Sequence, residues 1–336
     1  MPTPIPLSRI VGTGHYLPER VVTNHDLEAM VDTSDAWIAE RTGIRSRHVA
    51  RDGELTSDMA AAAARSALEM AGIPASKLSM IIVGTVTPDT PMPACAVYVQ
   101  QKIGAGHVPS FDLSAACAGF LYGVSIADQF IRSGQCEYVL VIGVELLSRV
   151  LNWRDRTTCV LFGDGAGAVV LGPSGAQPGE ARPSGVLATR LYTDGSLAEA
   201  LVIPAGGSRE AVTPEGLLAS RNKVHMVGSE IFKFAVKNLV SAAKDALEAA
   251  SLGADDVKWV VAHQANLRIL AQVSTRLGIP MERFVLNIER CGNTSSASIP
   301  IALDEAVRDG RIRRGDDLVM CALGAGISWG GAAVRF

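Results

Sequence analysis

ALEMAGIPASKLSMIIV at residues 67–83 is matched by ALEAASLGADDVKWVVA at residues 246–262, an offset of 179. In both stretches a helix-forming ALE segment gives way to a short turn and then to an apolar, β-branched run that reads as a buried strand. A second pair, ADQFIRSG at 127–134 and LDEAVRDG at 303–310, stands at an offset of 176, and strands VLVIG (139–143) and VMCALG (319–324) follow in each half. Recurrence at this distance predicts a duplicated chain, with residues 1–175 and 176–336 folding alike and pairing about a pseudo-two-fold axis. The offset of 176 sets Cys117 opposite Asn293, placing two potentially reactive loops at equivalent positions.

Working outward, Ser57–Gly72 reads as an Ala-rich helix stopped by Gly72 and Pro74, Met80–Val86 as a strand, and Phe120–Ile131 as a buried helix ended by Gly134. Tyr138–Val144 is again a strand. The second half repeats the alternation: helix to Ala250, strand Trp259–Ala262, helix Leu267–Leu277, helix through Val307, strand Leu318–Ala322, and a last strand ending at Phe336. Continuous apolar strands alternating with helices predict an α/β fold with helices on both sheet faces. Residues 172–225 break the pattern with GPSGAQPGEARPSG and PAGGSREAVTPEG. They read as loops plus a strand at Gly185–Leu191, linking the halves at a substrate entrance or a subunit contact.

Bulk properties narrow the function. The 336 residues are 48% hydrophobic and 19% charged, which is globular, and a net charge of −3 gives no reason to expect nucleic-acid binding. The start, MPTPIPLSRI, lacks a secretory signal pattern, and no apolar run reaches the roughly 18 residues needed to span a bilayer. The six cysteines fit neither a zinc spacing nor a disulfide framework, so free thiols in a reducing cytoplasm are the simplest account.

Three segments carry chemistry. Cys117 lies in FDLSAACAGF, where a strand passes through small residues into a helix. A helix N-terminus favours thiolate over thiol, and the small neighbours leave room for a substrate. The commoner fate of such a cysteine is an inert buried thiol, which is how Cys95, Cys136, Cys159, Cys291 and Cys321 read. His263 ends the apolar strand of WVVAHQAN, where α/β sheets place functional groups. The alternative is a core histidine satisfied by backbone, and the other five histidines read as structural. Asn293 in RCGNTSSAS suits a helix cap as well as a catalytic amide. Gly163–Gly167 (GDGAG) is followed by a strand rather than a helix, so it reads as close strand packing rather than a nucleotide loop. The Leu323–Trp329 turn (LGAGISW) offers N–H groups to an oxyanion, or is simply a tight turn.

These segments resemble β-ketoacyl-acyl-carrier-protein synthase III. The matching residues are AACAGF around Cys117, HQANLRI from His263, GNTSSAS around Asn293, GDGAGA at 163–168, DTSDAWIAERTGIRSRH near the start, and the SWGGAAVRF terminus. The resemblance implies the duplicated thiolase-like fold in five α-β-α-β-α layers, and a homodimer. It implies catalysis by Cys117, His263 and Asn293, with backbone N–H groups of Cys117 and Ala325 as oxyanion hole. Acyl-CoA would acylate Cys117, and malonyl on acyl carrier protein would then lose carbon dioxide and condense. No metal or redox cofactor is implied. By the same resemblance Trp37, Arg41, Arg156 and Asn266 would bind CoA, and Met92 would lie at the primer pocket. Arg268, Lys233 and Arg276 are candidates for docking the acidic carrier. Ala325 departs from the usual glycine triplet, so a methyl group narrows the space there. A related acyltransferase of secondary metabolism, using the same Cys–His–Asn set on another acceptor, is the competing reading.

Overall fold

The computed structural model describes residues 7–174 and 184–336. The expected boundary between halves at 175–176 and most of the GPSGAQPGEARPSG stretch lie outside the described residues, as does the segment MPTPIP. A five-stranded sheet comprises β1 (Ser8–Tyr16), β2 (Met80–Gly84), β3 (Ser110–Leu113), β4 (Val139–Glu145) and β5 (Gly165–Pro173), in the order β1-β5-β4-β2-β3. A four-stranded sheet comprises β6 (Gly185–Thr193), β7 (Trp259–Ala262), β8 (Asp317–Gly324) and β9 (Ser328–Arg335), in the order β6-β9-β8-β7. In the first sheet β2 runs parallel to β3 and β4, and the remaining pairs are antiparallel. In the second, β7 runs parallel to β8 and the rest are antiparallel. The place corresponding to β3 is reduced to one parallel bridge, Val260 with Phe284. Order and direction therefore repeat between the halves.

Seven helices of eight or more residues cover these sheets: α1 (Asp35–Thr42), α2 (Thr56–Ala71), α3 (Cys95–Ile103), α4 (Gly119–Arg132), α5 (Gly228–Ala249), α6 (Leu267–Leu277) and α7 (Ser298–Arg308). Phe120 and Val124 of α4 share one core with Ile299 and Leu303 of α7, packed on Ile82 of β2 and Met320 of β8. Strand side chains alternate, so Ile81 and Val260 face the opposite way. Ile81 meets Met59 and Ala63 of α2 and Val99 of α3. Val260 meets Leu239 of α5 and Leu270 of α6. Helices α4 and α7 thus lie between two sheets whose outer faces carry α2/α3 and α5/α6, giving α-β-α-β-α layers. Strands β2, β4, β7 and β8 are buried on both faces, which is why they read as unbroken apolar runs. No helix among the described residues is long and apolar enough to cross a membrane.

The repeat needs one correction. Met80 pairs with Val139 and Trp259 with Leu318, so both partners move on by 179 residues. Helix α4 has 14 residues and α7 has 11; they start 179 apart and end 176 apart. The 176 offset is a property of the helix ends alone. Each helix is preceded by a tight turn, Ala116–Ala118 or Ser295–Ala297. Cys117 is therefore matched by Ser296, and Asn293 stands three residues earlier. Nor is the 172–225 region only a link. Strand β6 forms an edge of the second sheet as β1 does of the first, and Leu201–Val202 pairs with His225–Met226 in a short ribbon beside the site.

Candidate active site

Cys117 sits in the tight turn between β3 and α4, a turn entered through Ala116 at φ 45°. Gly324, at the end of β8, backs directly onto it: a Cβ there would stand 2.6 Å from the Cys117 nitrogen. His263 follows β7 at once, its N–H donating to the Cys321 carbonyl at 2.8 Å. Asn293 is gripped by the chain just before β5. Its N–H donates to the Leu161 carbonyl at 2.8 Å, and its carbonyl accepts from the Gly163 N–H at 3.0 Å. The glycines after this clamp serve packing: a Cβ on Gly167 would meet the Ile301 nitrogen of α7 at 2.6 Å. The GDGAG motif is thus close strand–helix packing.

Cys117, His263 and Asn293 line one cavity of about 170 Å³, together with Phe162, Phe232 and Asn266. A second cavity, of about 350 Å³, also reaches Cys117 and is walled by Val86, Leu147, Ile203, Val224 and Ala325. The cysteine stands where two mainly apolar spaces meet.

Hydrogen bonding fixes which atoms remain free. The Asn293 Oδ1 accepts from the Ser295 N–H at 2.8 Å, so the amide caps the following turn and keeps its Nδ2 hydrogens for the cavity. The His263 Nδ1 lies 2.7 Å from the Ser298 hydroxyl, leaving Nε2 for the cavity. Burial pushes His263 down to about 4, so the imidazole is neutral at physiological pH. The Cys117 thiol departs from expectation. Burial pushes it up to about 12, opposed by the hydrogen bond that Ser295 can give the thiolate form and reinforced by the Glu145 carboxylate. At rest the helix start does not overcome that desolvation, and the group is a thiol rather than a thiolate.

The remaining expected residues fall in three places. The Arg41 and Arg156 guanidinium carbons lie 5.4 and 5.2 Å from the Trp37 ring centroid, a cation–π cluster at α1. Asn266 joins that cluster to the cavity: it caps α6, and its Nδ2 donates to the Arg41 carbonyl at 3.0 Å. Arg268, Lys233 and Arg276 are exposed on the neighbouring helices α5 and α6, with Arg268 5.9 Å over the Phe232 ring at the cavity. Met92 is the exception. It is 85% exposed and lines neither cavity, because the loop after β2 carries it outward. Sequence reasoning also passed over Ser295, Ser298 and Glu145. The two serines lay within the quoted GNTSSAS, and the signal for Glu145 was a carboxylate ending an apolar strand.

Residues 111–195 match the family description 3-oxoacyl-[acyl-carrier-protein] synthase III, and residues 247–336 match its C-terminal part. The beta-ketoacyl-[acyl-carrier-protein] synthase III of Paramagnetospirillum magneticum is 51% identical over 328 residues, covering 98% of both chains. The chain belongs to the 3-oxoacyl-[acyl-carrier-protein] synthase III family. The crystal structure of the synthase III from Aquifex aeolicus superposes with a TM-score of 0.88 at 44% identity, covering 98% of this chain and 100% of that one. A priming β-ketosynthase from the R1128 polyketide pathway superposes with a TM-score of 0.89 at 36% identity, covering 99% and 98%. The five layers are those of the thiolase fold, and the family is one of condensing acyltransferases.

Proposed function

We propose that this synthase III joins an acyl-CoA primer to malonyl-acyl carrier protein through an acyl thioester on Cys117, the first condensation of fatty acid synthesis. The observation that supports it is the convergence of a thiol, a neutral imidazole and an oriented amide on one cavity. The Cys117 sulfur attacks the primer thioester and CoA departs. Between attack and departure the N–H groups of Cys117 and Ala325 stabilise the tetrahedral oxyanion, whose collapse expels CoA. Malonyl thioester enters next, its carboxylate bond breaks, and carbon dioxide leaves. Its electron pair passes to the thioester oxygen, met by the His263 Nε2–H and the Asn293 Nδ2–H. For this tautomer the Ser298 hydroxyl donates to Nδ1. The enolate carbon attacks the acyl-Cys117 carbonyl and the thiolate is expelled. Electrons balance without a redox cofactor or metal. Each preorganised donor is worth about 3 kcal/mol at the barrier.

Trp37, Arg41 and Arg156 hold the CoA nucleotide, Asn266 its arm, and Arg268, Lys233 and Arg276 the acidic carrier. The protein works as a homodimer in the cytoplasm, and Met92 closes the 350 Å³ cavity of a second copy, which suits a large apolar side chain left exposed. His263 and Asn293 beside the thiol favour decarboxylative condensation over transfer to an oxygen or nitrogen acceptor, for which an enolate site is superfluous. The test is release of carbon dioxide from malonyl-acyl carrier protein in the presence of a panel of acyl-CoA primers. No release with any primer, despite acylation of Cys117, would favour the acyltransferase reading.

A further inference from the structure

The condensation leaves a buried carboxylate close to the nucleophile unused. Glu145 ends β4, is wholly buried, and pairs with no Lys, Arg or His among the described residues. Its partners are neutral donors: the Thr87 hydroxyl at 2.6 Å, the Val86 N–H at 3.2 Å, the Thr85 hydroxyl at 3.3 Å, and the Ser295 hydroxyl at 3.2 Å. A carboxylate without a cation in such a place is costly, and packing alone does not require it. Ser295 stands beside Cys117 on the wall of the same cavity, where its hydroxyl is placed to exchange a proton with the sulfur. The Ser295 O–H points to the carboxylate, which leaves its oxygen as the atom that can receive a proton from the thiol.

We propose that Glu145 receives the Cys117 proton through the Ser295 hydroxyl as the thiol attacks acyl-CoA, and returns it when the enolate expels the thiolate. The inference rests on the acyl-Cys117 reading above. In the first step the S–H bond breaks, the Ser295 proton passes to Glu145, and Ser295 takes the thiol proton. The new hydroxyl then donates to the thiolate. Departing CoA thiolate takes its proton from solvent or, once the thioester has formed, from Glu145. In the second step the expelled thiolate is reprotonated along the same path, with solvent making up any proton already released. Over the cycle one solvent proton is consumed, as decarboxylation requires.

Electrostatics agree. An ionised Glu145 raises the thiol, so the pair holds one negative charge between them, and moving the proton exchanges its owner. His263 is the weaker base: burial leaves its imidazole at about 4, whereas burial lifts Glu145 to about 7. The groups facing Glu145 are Thr85, Val86 and Thr87 from the loop after β2, Ser295 from the turn before α7, and Cys117 beyond it. Of these only Cys117 titrates.

The experiment measures the rate of Cys117 acylation by acetyl-CoA, by rapid quench and mass spectrometry on the full-length protein, across the pH range around neutrality. In the wild type the rate should rise with pH and level off, with an inflection near 7. Glu145→Gln should lose that inflection and acylate about a hundredfold more slowly. Ser295→Ala, which leaves the carboxylate on Thr87 and Val86, should do the same even where the amide variant folds poorly. The double variant should be no slower than the slower single one. A Glu145→Gln or Ser295→Ala protein that keeps the inflection, or a double variant whose losses multiply, overturns the relay while leaving the acyl-enzyme intact. A wild type that never forms the Cys117 adduct overturns both.

Discussion

The His263 Nδ1 and the Ser298 hydroxyl, 2.7 Å apart, tie the end of β7 to the first residue of α7. The contact is buried, and Ser298 also lies 3.4 Å from the Gln264 N–H. One small hydroxyl therefore sets both the ring's orientation and which nitrogen presents a hydrogen to the cavity.

Replacing Ser298 by Ala should leave acylation of Cys117 intact and slow condensation by roughly ten- to a hundredfold, because a misdirected donor loses its effect over short distances. Single-turnover acylation measured beside steady-state condensation separates the two. Equal loss in both steps would place Ser298 in folding rather than in orienting the imidazole.

The two buried titratable groups should bend stability against pH in opposite senses. His263 falls from 6.5 to about 4 on folding, so between those values only the unfolded chain takes its proton. Stability then drops as pH falls through that window, by about 3 kcal/mol when fully developed. Glu145 rises from 4.5 to about 7, so only the folded chain holds its proton there, and stability drops as pH rises through that window. Wild-type thermal unfolding compared with His263→Gln and with Glu145→Gln should show these opposite trends. A pH-independent difference in either comparison contradicts the assignment.

Gly324→Ala should destabilise the fold by about 1–3 kcal/mol and slow acylation, since the added methyl would meet the Cys117 nitrogen at 2.6 Å and the Ala115 carbonyl oxygen at 2.8 Å. Both are backbone atoms and neither can swing aside. Thermal unfolding and the acylation rate check this, and a variant matching wild type in both would show that the turn yields more than its packing suggests.

Charge reversal at Arg268 and Lys233 should raise the KM for malonyl-acyl carrier protein roughly tenfold at low salt, with the difference shrinking as salt screens the exposed charges. The rate of acylation by acyl-CoA should not move. A salt-independent defect would indicate damage to the cavity rather than loss of docking.

Much of this was legible in the sequence. Trp259–Ala262 and Leu267–Leu277 are continuous apolar or strongly amphipathic runs with clear stops, and they fold with those bounds. Strand β1 was not legible, because Gly12 and Gly14 interrupt its pattern. Their reason is tertiary: Cβ atoms there would strike the Ala67 and Ala63 carbonyls of α2 at 2.2 and 2.4 Å. Cys117 and His263 stood out locally because each is a reactive or polar side chain beside a strand end, whereas Asn293 read equally as a helix cap and was singled out by the 176 offset, which the fold corrects, and by the family resemblance. Their supports did not. Ser298 and Ser295 look like ordinary helix-start serines, and only the folded chain shows what each hydroxyl touches. The state of the Cys117 thiol was misjudged because helix position is visible in a sequence and complete desolvation is not.

The most direct test of the account is mass spectrometry on wild type, Cys117→Ser, His263→Ala and Asn293→Ala after mixing with acyl-CoA, followed by addition of malonyl-acyl carrier protein. The account predicts an acyl adduct in all but Cys117→Ser, and carbon dioxide release in the histidine and asparagine variants slowed by about a hundred- to a thousandfold. An adduct that persists in Cys117→Ser, or a histidine or asparagine variant that cannot be acylated yet still decarboxylates, would contradict it.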